Sequence, residues 1–174
     1  MMLMPGDDQK DVLANSKGFT LLELIIVFSI TILFLYFTPV LPRIFDRQKL
    51  YYTACVMAED IRLAQQLNIN QDAVYTTIFD CQNDRYFIQR NVYTYKKTEL
   101  PGGIDLVATN FDFDNNTGNG CDNKLRFNTE GEPFRINGFL YGGHVSLRDQ
   151  NGEFLYVIVA SVTGRVRVDR KPPP

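Results

Sequence analysis

The chain has 174 residues and a formal net charge of −2, from 18 basic and 20 acidic side chains. That balance argues against a globally cationic nucleic-acid binder, and bulk electrostatics name no partner. A single histidine, His144, and three cysteines without a Cys-x-x-Cys pair speak against a zinc site.

The first strong feature is a twenty-residue apolar run, Phe19 to Thr38, which opens directly after Lys17-Gly18. As a helix it would span roughly 30 Å, the thickness of a bilayer core. One carboxylate, Glu23, lies inside it. A charge there costs about 2 to 3 kcal/mol, so it calls for a partner.

Gly18-Phe19-Thr20-Leu21-Leu22-Glu23 resembles the processing site of type IV pilins and pseudopilins. The resemblance implies that a prepilin peptidase cuts after Gly18 and methylates the amine of Phe19. Residues 1–18 would then be a leader, and 19–42 a transmembrane and filament-core helix. Glu23 lies at i,i+4 from the new terminus, where it can neutralise the amine of a neighbouring subunit and set filament register. Flanking charge points the other way. Lys10 and Lys17 precede the run among Asp7, Asp8 and Asp11, whereas Arg43, Arg47 and Lys49 follow it. Counted alone, these would put the head in the cytoplasm. The processing motif outweighs them, because the family's peptidase works from the cytoplasmic side. The implied location is the cytoplasmic (inner) membrane, single-pass, with an extracytoplasmic head that later enters a filament.

Pro39 and Pro42 interrupt the helix. A second helical stretch is expected from Arg43 to about Ile69, within a segment 43–70. Leu50, Ala54, Met57, Ile61 and Ala64 recur at three- and four-residue spacings, and Tyr51, Cys55 and Ala58 widen the stripe. Residues 71–168 then alternate as strands: 73–79, 86–95, 104–108, 124–127, 144–148, 154–160 and 165–168, with tight turns at Asn151-Gly152 and Thr163-Gly164. Residues 169–174 form a polar, proline-rich tail. The expected class is α+β: a long N-terminal helix, membrane half plus amphipathic half, packed on an antiparallel sheet. Leu125 to Gly131 and Val157 to Val168 look like elements of the GspH/FimT group of minor pseudopilins and minor pilins.

Within the head, Cys81 and Cys121 fall in polar, turn-like sequence and are candidates for a disulfide, while Cys55 lies on the helix. His144, beside Gly142-Gly143, reads as structural. Gly164-Arg165-Val166-Arg167 places two guanidiniums on one strand face, followed by Arg170 and Lys171. It is similar to the Gly-Arg-x-Arg of DNA-binding minor pilins. Two readings stand: a solvated edge strand protected by cations, or contact with duplex DNA without sequence preference. The loop Asp112 to Gly120 is rich in oxygen ligands but departs from the EF-hand pattern, and reads as a polar loop with no metal. No cofactor motif and no nucleophile–base arrangement appears. The sequence thus describes a non-enzymatic structural subunit whose partners are other pilin-like subunits, the peptidase and the membrane. The alternative is a DNA-binding minor pilin of an uptake pilus.

Overall fold

The computed structural model describes residues 18–37, 41–71, 73–113 and 122–173. The rest of the expected leader, Pro39, most of the oxygen-rich loop and Cys121 lie outside the described residues. Two units are present, one ending at Leu41 and the other beginning at Pro42.

The first unit holds helix α1, Leu21–Phe37, 17 residues of almost purely apolar sequence. Its start is fixed by Thr20. The Thr20 hydroxyl accepts the Glu23 backbone N–H at 3.2 Å, and its carbonyl accepts that of Leu24. This N-cap satisfies orphan donors of the first turn and leaves Phe19 and Thr20 outside the helix. Ser29 and Thr31 donate their hydroxyls back to the carbonyls of Ile25 and Val27, each at 2.8 Å. The helix is about 26 Å long at 1.5 Å per residue. No helix among the described residues is long and apolar enough to cross a membrane. Capping at Thr20 starts the helix two residues into the expected run, and Thr38 at the other end of that run lies outside the described residues.

The second unit is the head. Helix α2, Leu41–Asn70, carries Pro42 in its first turn, where a missing N–H costs nothing. Strands β1 (Tyr75–Asp80), β2 (Arg85–Arg90), β3 (Tyr93–Glu99), β4 (Ile104–Asp112), β5 (Asp122–Arg126), β6 (Gly143–Asp149), β7 (Phe154–Val159) and β8 (Val166–Asp169) follow. They form one sheet in the order β3-β2-β1-β5-β4-β6-β7-β8. Leu50, Ala54, Met57, Ile61 and Ala64 are all at most 1% exposed. Most of this stripe packs with Phe79, Leu106, Phe111, Val145, Leu147 and Val157 of the sheet. Tyr51 does not join it and stands 59% exposed, one position beyond the arc that the sheet covers.

Two other expectations are corrected. The segment 86–95 is two strands, because Asn91 adopts φ 54° and reverses the chain between Arg90 and Tyr93. Asn tolerates this left-handed backbone better than most residues. The sheet is also mixed. β4 and β5 run parallel over three residue pairs, Asn110↔Asp122 to Asp112↔Lys124, while every other strand pairing among the described residues is antiparallel. β5 starts beside Asn110, so the chain steps back only about two residues along β4, roughly 7 Å.

Candidate functional site

Gly18, Phe19 and Glu23 are all exposed at the head of α1, and nothing lies within 4 Å of where a Gly18 side chain would begin. Glu23 sits in the first helical turn, where the helix dipole favours a carboxylate.

The Gly-Arg-Val-Arg motif lies at one end of the head. α2 defines the two ends. Near its start, Asp46 accepts Asn151 Nδ2 at 3.1 Å and Lys49 donates to the Gly102 carbonyl. Near its other end, Gln65 Nε2 donates to the carbonyls of Gly131 (2.6 Å) and Gly164 (3.2 Å), and Arg62 donates to Val166 O at 2.8 Å. The carbonyls flanking Arg165 are thus held by α2, which leaves its side chain in solvent. Gly164 has φ 60°, and a Cβ there would stand 2.0 Å from the Gly131 carbonyl oxygen. The glycine of the motif is needed for a backbone-to-backbone approach.

Arg165 and Arg167 are exposed on one face and line a common trough with Asn110, Tyr141 and Ser161. Neither is ion-paired with a described residue. Arg170 does not join them. Asp169 Oδ1 accepts the Arg170 and Lys171 N–H groups at 2.7 and 3.3 Å and turns the chain off the strand. Arg170 lines a separate groove with Arg47, Tyr51 and Tyr156, and Lys171 is exposed beyond it. Of the four cations expected together, two share a site. β8 is an edge strand, with Arg167 on it and Arg165 just before it; the opposite edge, β3, carries Lys96 and Lys97, which pair with Asp60 and Glu99. A charged residue on each edge fits protection of the edges.

His144 is half-buried, its ring edge-on to Tyr156 at 5.7 Å, and burial lowers its pKa below the usual histidine value. Asp112 ends β4, almost fully buried, with Arg135 Nη2 3.6 Å from its carboxylate. It therefore belongs to the packed head. Cys81 is half-buried against the core just past β1, and Cys55 is a free thiol on α2.

Sequence reasoning missed one polar cluster. Asp60 of α2 is buried and accepts the Tyr86 hydroxyl at 2.8 Å, the Lys96 ammonium at 2.5 Å and the Thr98 hydroxyl at 3.3 Å. It pins the helix to β2 and β3. Burial, then the neighbouring Asp60 carboxylate, pushes the Tyr86 pKa up, so the phenol stays protonated and donates.

No family profile matches the chain, and no curated protein matches its sequence. Solved structures do match its architecture. Two crystal structures of the type IV minor pilin FimU of Pseudomonas aeruginosa superpose with TM-scores of 0.52 and 0.53. They share 10% and 12% identity, covering 71% and 74% of this chain and 97% and 95% of theirs. The fold is pilin-like. The minor pseudopilin EpsH from the type 2 secretion system of Vibrio cholerae also matches, at 13% identity and a TM-score of 0.49, over 70% of this chain and 97% of its own. At such identities the likeness is one of architecture, not of the chemistry of individual side chains.

Proposed function

We propose that the chain is a minor pilin or pseudopilin subunit of a type IV pilus or a type II secretion pseudopilus. The observation that carries this reading is a pilin-like head following an apolar segment that opens on Gly18-Phe19-Thr20-Leu21-Leu22-Glu23. In this reading a prepilin peptidase removes residues 1–18 and methylates Phe19. The apolar segment anchors the subunit in the cytoplasmic membrane, and Glu23 pairs with the terminal amine of a neighbour. The role is structural, with no catalysis and no cofactor.

Intact-mass measurement of membrane-extracted protein tests the processing step. The expected mass lacks residues 1–18 and carries one added methyl. Retention of the leader in cells with active peptidase would reject it. Glu23→Ala should still be cleaved and inserted, but should lose filament incorporation, since an unpaired buried charge costs about 3 to 5 kcal/mol. Normal incorporation would show the carboxylate to be dispensable.

A Cys81–Cys121 bridge forms part of the same proposal, bracing an extracytoplasmic head. Non-reducing peptide mapping of exported protein should recover the cross-linked pair; two alkylatable thiols would reject it. Contact with duplex DNA is the second reading, and it now rests on Arg165 and Arg167, the two cations that share a trough.

A further inference from the structure

The trough bearing Arg165 and Arg167 lies at the end of the head farthest from the start of α2. There β4 ends, β6 begins and β7 turns into β8. Its volume is about 740 Å³, within the range of sites that hold a small ligand or a chain end. Ile158, nearly buried, is central in its floor: His144 pairs with Ile158 across one ladder and Ile158 with Arg167 across the next. Leu140, Tyr141 and Pro173 form apolar walls. Gly142 keeps one wall thin, for a Cβ there would meet Ser161 N and Val159 O at 2.4 Å.

A second observation adjoins the first. Leu140 belongs to a turn, residues 135–140, that holds Ile136 and Phe139 in solvent at 67% and 72% exposure. The turn is built to do so. Ile136 N–H donates to Phe113 O at 2.8 Å and Arg135 Nε to Asp112 O at 3.1 Å. The Arg135 guanidinium stacks on Tyr141 at 3.6 Å, and Phe134 bridges to Leu140. Two large apolar side chains are thus fixed outward on a turn whose Leu140 lines the trough, and the trough's two guanidiniums have no carboxylate partner among the described residues.

We infer that this end of the head captures the apolar, carboxylate-terminated end of a partner polypeptide. The free carboxylate is held by Arg165 and Arg167 in the trough, and the preceding apolar side chains lie on Phe139 and Ile136. Guanidinium forks match a carboxylate bidentately. The apolar floor and rim match aliphatic or aromatic side chains, which a phosphate backbone would not use. A duplex also contacts even a single module across about 600 Å² or more, whereas only two cations line this trough. The inference does not depend on filament assembly.

The test uses purified full-length protein in detergent. Fluorescence anisotropy follows a short fluorescein-labelled peptide ending in Leu-Phe with a free carboxylate, its C-terminally amidated twin, and a labelled DNA duplex. The free acid should bind at least about tenfold more tightly than the amide. Arg165→Ala with Arg167→Ala should erase that difference. Ile136→Ser with Phe139→Ser should weaken both peptides about tenfold and leave the acid–amide ratio unchanged. All four side chains are exposed, so melting curves should match wild type. Absence of peptide binding, equal binding of acid and amide, or an acid–amide ratio untouched by the arginine changes would overturn the inference. Binding of the duplex in place of the peptide would do so in favour of DNA contact.

Discussion

Gly164→Ala is expected to destabilise the head by about 2 to 4 kcal/mol, and so to lower its melting temperature by roughly 10 °C. Two costs combine. The backbone at φ 60° strains any residue with a Cβ, and the new methyl would lie 2.0 Å from the Gly131 carbonyl oxygen and 2.5 Å from Gln65 Nε2. Gln65 can swing aside. The carbonyl is main chain, held in the Asn128–Gly131 turn, where Asn128 Oδ1 accepts the N–H groups of Glu130 and Glu132. The hairpin must therefore shift away from α2 and lose the Gln65 and Arg62 hydrogen bonds. Thermal unfolding followed by near-ultraviolet circular dichroism measures the effect. A variant within about 0.5 kcal/mol of wild type would show that the contact between these two turns is soft.

Asp60→Ala should cost about 2 to 3 kcal/mol. The change strands the buried Tyr86 hydroxyl without an acceptor. It also strands the Lys96 ammonium, but that side chain is 41% exposed and can turn to water, which reduces its share. Asp60→Asn keeps an acceptor for Tyr86 and should recover at least half of the loss. Urea unfolding monitored by tyrosine fluorescence distinguishes the three proteins. Equal stability of Asp60→Ala and wild type would mean that the cluster contributes only geometry. The paired change Asp60→Leu with Lys96→Leu provides a further comparison, because removing both charges avoids the uncompensated one.

Features set by local periodicity were legible before the structure. The α2 stripe from Leu50 to Ala64 follows from spacing alone, because one helical face must meet the sheet. The Asn151-Gly152 turn was equally plain: Gly152 takes φ 83° between β6 and β7. The shared face of Arg165 and Arg167 follows from strand alternation. What failed was set by tertiary geometry or by weak turn chemistry. Asn91-Val92 lacks the glycine that announces a hairpin, so two strands read as one. Asp60 has partners 26 to 38 residues away, and in sequence it looks like another solvated charge beside Glu59. Arg170 left the basic face because Asp169 turns the chain through its own carboxylate. The parallel β4–β5 pair could not be read at all, since nothing local to either strand encodes the direction of its neighbour.

That pair gives the head a mechanical grain. The sheet is two antiparallel blocks, β1–β3 with β5 on one side and β4 with β6–β8 on the other, joined along three residue pairs. Helix α2 is fastened to both blocks: through Asp60 to β2 and β3, and through Asp46, Lys49, Arg62 and Gln65 to turns of both halves. A pull on the helix is therefore divided between two loads, and β5, held by three residue pairs to β1 on one side and three to β4 on the other, is where the sheet would yield first. A thread made of such units would stretch by parting its heads at this strand before any helix gave way.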